Sequence, residues 1–319
     1  MDTKSVFLTG ASGLLGSHIL EHLLTAEYSL KLLIRSPIIS AEDSRTVVGD
    51  LLDPTSYEDS LNGIDTIIHC AAMVSYDSKD RKQLYKINVE GTRSLVNAAL
   101  FSGVKNFIFI SSASTMIRSS DEALVSDQAV GQPILKSYYA ETKYLAELEV
   151  WRAAAEGLNV CILNPSLVLG KGSWDHSSMQ IFQKVQDGLS FYPPGNLGLI
   201  AADDIAKIVL QALNGNWWGK QFLVNAESWT YQKFLNTIAN ALHKEPILHK
   251  AGILSAKGLA LLDGIVSAVS HKKTIINTET IRSSFSQVYY KDELSRQILQ
   301  YNYQNIESLI LLLCQNKAS

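Results

Sequence analysis

Apolar positions along the chain alternate between two periods. Val6, Phe7 and Leu8 make a short continuous apolar run, the pattern of a buried strand. From Leu14 the spacing turns helical, with Leu14, Leu15, Ile19, Leu20, Leu23 and Leu24 on one stripe. Residues 30–34 predict a second strand, ending at Arg35-Ser36-Pro37, and 46–48 a third, followed by Gly49-Asp50-Leu51. Asp53-Pro54 pairs an N-cap aspartate with proline at the first helical position and predicts a helix to about residue 61. Residues 65–70 predict a fourth strand, 83–101 a helix, 106–112 a fifth strand, 136–156 a long helix and 159–163 a sixth strand. Such alternation predicts an α/β fold, a doubly wound parallel sheet with both faces covered.

After Asn164-Pro165 the pattern changes. Residues 170–200 carry Gly170, Gly172, Pro193, Pro194, Gly195 and Gly198 and read as loop-rich, with one helix near 177–187. Residues 202–213 read as a helix and 221–224 as a strand returning to the sheet. From 229 onward the chain reads as mostly helical, with short strands at 246–249 and 288–290. Within it, 251–270 predict an amphipathic helix whose single lysine, Lys257, argues for core packing over a pocket lid or a membrane surface. The expected division is a dinucleotide-binding domain over 1–165 plus 201–225 and a smaller, mainly helical substrate lobe over 166–200 plus 226–319.

Composition narrows the class. The chain has 319 residues, 46% of them hydrophobic and 18% charged, enough for one large domain or a domain with a lobe. A formal net charge of −3 without basic runs excludes a nucleic-acid partner. Cys70, Cys161 and Cys314 stand apart in apolar surroundings, the pattern of free thiols in a reducing compartment and of no metal set. A first strand at about residue 5 leaves no room for a signal peptide, and no apolar stretch reaches the ~18–20 residues of a membrane span. A cytoplasmic protein is expected.

Between the first strand and helix lies G-x-x-G-x-x-G: Gly10, Gly13 and Gly16. A strand, a glycine turn and a helix start present backbone N–H groups at the positive end of a helix dipole, a seat for a dinucleotide pyrophosphate. Gly10 serves the tight turn, Gly13 the approach of phosphate and Gly16 the packing of helix on strand. Ser12, Leu14 and Leu15 of the same turn count with them as cofactor contacts. At the end of the second strand a carboxylate would bond a ribose 2′-OH, whereas arginine accommodates a 2′-phosphate. Arg35, with Ser36 beside it, therefore favours NADP(H), and NAD(H) stays the alternative. Asp50 is placed either to accept from the adenine amino group or to serve as an ordinary turn aspartate.

Tyr139 and Lys143 form Y-x-x-x-K, one turn apart on one helix face. A nearby ammonium favours the phenolate, which would make Tyr139 a proton donor or acceptor near neutral pH. Ser112, at the end of the fifth strand, can hold a substrate oxygen by a hydrogen bond. Tyr138 has Thr142 one turn on, so Tyr139 is the better candidate.

The chain resembles the extended short-chain dehydrogenase/reductase family over nearly its whole length. The matching stretches are T-G-A-S-G-L-L-G (9–16), G-D-L (49–51), H-C-A-A (69–72), N-V-E-G-T (88–92), S-S-A (111–113), Y-A-E-T-K (139–143), N-P-S (164–166) and A-D-D-I-A (202–206). The resemblance implies a Rossmann core, a helical substrate lobe, and Ser112, Tyr139 and Lys143 as catalytic triad. It implies that Lys143 also bonds the nicotinamide ribose, that Leu51, Ala71 and Ala72 line the cofactor channel, that Asn88 sits near the site, and that Pro165 and Ser166 flank the carboxamide. It also implies a homodimer through the helices at 83–101 and 136–156, with Leu145, Leu148 and Trp151 serving either that contact or the core.

Three branches differ in chemistry. One, resembling dihydroflavonol 4-reductase and 3β-hydroxysteroid-type enzymes, reduces a ketone or aldehyde, or oxidises the alcohol, with NADP(H). Another, the nucleotide-sugar epimerases and dehydratases, keeps its NAD bound. A third is a non-catalytic NADP-binding sensor or scaffold. Sugar-nucleotide members carry an arginine shortly before the aspartate pair, whereas residues 195–202 here hold no cation ahead of Asp203 and Asp204. Sugar dehydratases carry an acid right after the active-site serine or threonine, and here Ala113-Ser114 follow Ser112. Both departures, with Arg35, favour the reductase and a small-molecule carbonyl or alcohol substrate. Met116, Ile117, Trp174, Phe182, Phe191 and Tyr192 would suit an apolar substrate, or serve as ordinary core. Asn164 stands where many relatives have arginine before the proline.

Overall fold

The computed structural model describes residues 4–26, 28–36, 45–118, 124–129, 131–175, 177–252 and 278–318. Beyond its first two residues, the helix expected over 251–270 lies outside these. The chain opens with β1 (Ser5–Thr9), α1 (Leu14–Thr25), β2 (Ser29–Ile34), β3 (Thr46–Val48) and β4 (Thr66–His69). A helical stretch follows in three pieces: α2 (Arg81–Tyr85), a π-helical turn over Lys86–Glu90 and α3 (Gly91–Phe101). Next come β5 (Asn106–Ile110), β6 (Leu124–Ser126), α4 (Tyr138–Ala155), β7 (Asn159–Pro165), β8 (Leu167–Leu169), α5 (Gln180–Gln186), β9 (Phe191–Tyr192) and β10 (Asn196–Ala201). They are followed by α6 (Ala202–Asn214), β11 (Lys220–Val224), β12 (Glu227–Thr230), α7 (Tyr231–Ala241) and β13 (His249–Lys250). The last described stretch holds α8 (Thr278–Ser284), β14 (Tyr289–Lys291), α9 (Glu293–Leu299) and α10 (Ile306–Ala318).

Seven strands form one parallel sheet in the order β3-β2-β1-β4-β5-β7-β11. Successive side chains of a strand point to opposite faces. Val6 and Leu8 accordingly join a core with Ile19, Leu23, Ile205 and Val209 of α1 and α6, while Phe7 joins Leu95 and Val96 of α3 and Ala146 and Val150 of α4. Burial on both faces is why these strands read as unbroken apolar runs. From β1 the chain builds outward to β3, then restarts at β4 and builds the other way. The strand order therefore reverses between β1 and β4, and the crevice at their carboxyl ends is where such sheets bind ligands.

A second layer corrects the loop expected before residue 201. β10 is buried along its whole length and lies between β8 and β12 in a three-stranded sheet. Its Gly198 is small because Asn225 and Tyr290 press on it: a Cβ there would lie 2.7 Å from the Tyr290 ring. Phe182, Phe234 and Ile310 form a core beneath this sheet. Trp174 and Phe182 belong to that core, and Met116 packs with Val125 and Val288, so these three are packing residues. The helix expected from Pro54 is instead two short 3₁₀ turns, Pro54–Ser56 and Glu58–Leu61. Asp53 takes the Thr55 hydroxyl at 2.6 Å rather than capping a helix, and Tyr57 between the turns is pulled into the core.

Candidate active site

Gly10 has φ +77°, and a Cβ on it would lie 2.6 Å from the Ala71 nitrogen. Glycine here lets the turn after β1 press against the loop after β4. At Gly16 a Cβ would run into the Gly10 carbonyl, so the close packing is between helix start and turn, not helix and strand. Gly13 is the N-cap of α1; it brings no side chain to the first amides, and no acid stands in the first turn. The helix start is left open to an anion. Ser12 and Gly13 are exposed at this mouth, whereas the Leu15 side chain turns into the core and Leu14 packs beside Gly172.

The remaining expected cofactor residues surround the same crevice. Arg35 and Ser36 are exposed just past β2. Asp50 is exposed and accepts the Leu52 N–H at 2.9 Å through Oδ1, a turn contact. Leu51 packs against Gly91. The Ala71 N–H donates to the Thr9 hydroxyl at 3.2 Å, and Ala72 is exposed. Asn88 is buried in the π-helical turn, which aims its side chain at both neighbours. Its amide donates to the Met73 carbonyl at 3.0 Å and to Thr142 at 3.1 Å, and its oxygen accepts the Met73 N–H at 2.8 Å. Asn88 thus clamps the loop after β4 to α4. Pro165 ends β7, and the Ser166 N–H donates to the Val224 carbonyl at 3.0 Å. The Ser166 hydroxyl is buried with no protein partner among the described residues.

Ser112 follows β5 and caps a short 3₁₀ turn by accepting the Ser114 N–H at 3.2 Å. Ser137 caps α4 by accepting the Ala140 N–H at 3.1 Å, which sets Tyr139 in the first turn and Lys143 one turn on. Burial pushes the Tyr139 phenol up from its ordinary value, with Tyr76 adding to the rise and a hydrogen bond with Ser112 opposing it. Lys143 is buried and donates to the Ile110 carbonyl at 2.7 Å, its ammonium 4.1 Å from the centre of the Phe109 ring. Burial lowers its pKa to about 8, against the pull of Glu147 and Cys70. At Tyr139 desolvation is the largest influence, and the Lys143 ammonium is tied to the strand through the Ile110 carbonyl.

Two polar groups here escaped the sequence reading. His69 bridges Thr9 and Thr92, at 2.7 and 3.0 Å, and burial lowers its pKa to about 3. Glu147 is buried one turn beyond Lys143. Its Oε1 accepts from Thr115 at 2.6 Å and Asn164 at 2.7 Å. The i, i+4 spacing from Lys143 was the available signal. On the open side Tyr76 stands edge-on to Tyr139, ring centres 6.0 Å apart. Tyr231 and Tyr290 are near enough to Tyr76 for electrostatic coupling among the three phenols. Among the described residues no cluster could hold a metal ion and no helix is long and apolar enough to cross a membrane.

Residues 6–222 match the NAD dependent epimerase/dehydratase family. Sterol demethylase protein B of Methylococcus capsulatus is 29% identical over 267 residues, 81% of this chain and 80% of that protein. A putative dihydroflavonol 4-reductase of Synechocystis is 33% identical over 177 residues, 53% of this chain and 50% of its own. The crystal structure of gox2253 shares the fold with TM-score 0.81 at 23% identity, covering 99% of both chains.

Proposed function

The chain belongs to the NAD dependent epimerase/dehydratase family and is an NAD(P)-dependent enzyme, and from that premise we propose that it reduces a ketone or aldehyde, or oxidises the corresponding alcohol, with NADP(H). The observation that carries the proposal is the placement of Ser112 just past the carboxyl end of β5, beside the Tyr139 phenol in the first turn of α4, with Lys143 one turn further along that helix. The glycine cradle fits a dinucleotide, because its helix start carries no side chain where the pyrophosphate would sit. Gly10 to Gly16, Arg35, Asp50, Leu51, Ala71, Ala72, Lys143 and Ser166 would hold it. When bound, the dinucleotide supplies the hydride donor or acceptor. A phenol pushed up by burial keeps its proton at neutral pH, the state in which Tyr139 can give it to a developing alkoxide. Ser112 steadies that oxygen by a hydrogen bond.

Tyr76 stands against Tyr139, and Tyr231 and Tyr290 are near Tyr76, an aromatic surround that suits a bulky apolar substrate such as a sterol or flavonoid, the classes named for the relatives. The stretch that would need a cation for a nucleotide diphosphate is the apolar β10, and the aspartates after it are engaged in the scaffold. Asp203 pairs with His22 and Lys207, and Asp204 accepts from Tyr301 and the Gln304 N–H. Three free thiols fit a reducing cytoplasm, and the α3–α4 face fits a homodimer.

Fluorescence titration with NADPH and NADH, followed by a carbonyl screen for NADPH oxidation, tests the proposal. We expect tighter NADPH binding and turnover. Tyr139→Phe should lose roughly 10²–10⁴-fold in rate with dinucleotide affinity retained. Stoichiometric, poorly exchanging NAD⁺ would instead establish the epimerase or dehydratase reading. Full NADPH affinity with no turnover of any carbonyl would establish a sensor or scaffold.

A further inference from the structure

One turn along α4 from Lys143, Glu147 is only 3% exposed. A buried carboxylate is costly unless it is hydrogen-bonded or paired. Its hydrogen-bond donors are neutral: Thr115 at 2.6 Å, Asn164 at 2.7 Å and Gln221 at 3.3 Å. Burial raises the Glu147 carboxyl above its ordinary value, and its hydrogen bonds and the charge of Lys143 oppose that rise. The same donors serve Ser112. The Thr115 hydroxyl lies 2.8 Å from the Ser112 carbonyl oxygen and the Asn164 amide 3.1 Å from it. Asn164 also donates to Thr115 at 2.8 Å. A hydroxyl has one proton and an amide two. Three side-chain protons are therefore shared among the Glu147 carboxylate, the Ser112 carbonyl and the Thr115 oxygen, and the Ser112 carbonyl also accepts the Thr115 backbone N–H at 3.1 Å. An anionic Glu147 draws on these protons; a protonated one would release the Thr115 proton to Ser112.

We propose that Glu147 is a positioning residue for the reaction: its buried carboxylate holds Lys143 as the ammonium and, through Thr115 and Asn164, fixes the backbone that carries Ser112. This rests on the reading of Ser112, Tyr139 and Lys143 as the reacting machinery. Asn164 gains a role here. An arginine at that position would bring a second cation to the Glu147 carboxylate, whereas the neutral amide leaves its charge to Lys143. The groups around Lys143 agree. From β4 and the loop after it come His69, which is neutral, and Cys70; from β5 come the Phe109 ring and the Ile110 carbonyl. Glu147 is the carboxylate among the groups that raise Lys143 against its desolvation.

The experiment compares Glu147→Gln, which keeps size and one acceptor oxygen for Thr115 and Asn164 but removes the charge and turns the oxygen facing Gln221 into a donor, with the parent enzyme over pH 6–10. Without the carboxylate Lys143 loses its proton at lower pH. The alkaline limb of kcat/KM and the alkaline rise of the NADPH Kd should both move down, on the order of one pH unit. Thr115→Val keeps the charge, so it should leave both limbs in place while lowering kcat several-fold. A folded Glu147→Gln enzyme with both limbs unmoved would overturn the inference, even if its Tm fell. Should that variant not fold, the parent decides: an NADPH Kd flat from pH 7 to 9.5 overturns it. Full turnover in Lys143→Met would overturn the functional reading as well; loss there with unmoved limbs in Glu147→Gln would overturn this inference alone.

Discussion

His69 shows what a single buried side chain contributes. Thr92 spends its proton on the Asn88 carbonyl at 2.6 Å, so His69 Nε2 must donate to the Thr92 oxygen. Nδ1 then accepts from Thr9, whose oxygen in turn accepts the Ala71 N–H. A neutral imidazole thus ties β1, α3 and the loop that borders the crevice. Its folded pKa of about 3 lies below the ordinary 6.5, so the unfolded chain takes up a proton first as pH falls. Stability is fully present above about 6.5 and declines below it, by up to ~1.4 kcal/mol per pH unit from this group. In His69→Phe each threonine keeps its other hydrogen bond. That variant should be less stable than the parent at pH 8 but lose less Tm between pH 6.5 and 4.5. Parallel Tm–pH curves for the two proteins would refute the assignment.

At the scale of elements, α1 and its glycine turn separate two demands that look alike in sequence. Gly13→Ala adds a methyl whose nearest neighbour is the Gly10 carbonyl at 3.3 Å, on the exposed mouth of the turn. It should fold with Tm within a few degrees of the parent and lose dinucleotide affinity. Gly16→Ala drives its methyl into the Gly10 carbonyl. That variant should lose both, with a Tm drop visible by circular dichroism; equal Tm for the two would sink the distinction. The seven main strands were legible because each is an apolar run bounded by polar residues. β10 was not, because Gly195 and Gly198 mimic a loop; Gly198 is small to admit Asn225 and Tyr290, residues remote in sequence. Tyr139 and Lys143 stood out by their spacing, whereas Glu147, one turn further on, was not singled out from the sequence. Only Asn164 and Gln221, brought in by β7 and β11, reveal that it is buried. Asp53-Pro54 misled because local capping signals yield to the tertiary pull on Tyr57.

Across the whole molecule, one reversal of strand order gathers the crevice: β1 brings the glycine turn, β4 the Ala71 loop, β5 Ser112, α4 Tyr139 and Lys143, and β7 Ser166. The helices that cover this part of the sheet also have an outward side. Ala146, Val150 and Ala153 of α4 face the core, while Leu148 is 45% exposed and Phe101 at the end of α3 is 88% exposed. The Arg93–Glu149 ion pair at 2.8 Å and the Arg152 guanidinium donating to the Asn97 side-chain oxygen at 2.6 Å join α3 to α4 along this side. Exposed apolar side chains on a braced helix pair suit a two-fold contact with a second copy, in which the same patch meets itself. Sedimentation velocity at micromolar concentration should show a dimer. Leu148→Glu places like charges across the axis and should weaken dimerisation at least ~10-fold, with NADPH affinity unchanged because α4 meets the crevice by its first turns. A parent protein that sediments as a monomer at tens of micromolar would dismiss the dimer, and a monomeric Leu148→Glu variant that no longer binds NADPH would mean that this face supports the crevice as well as the partner.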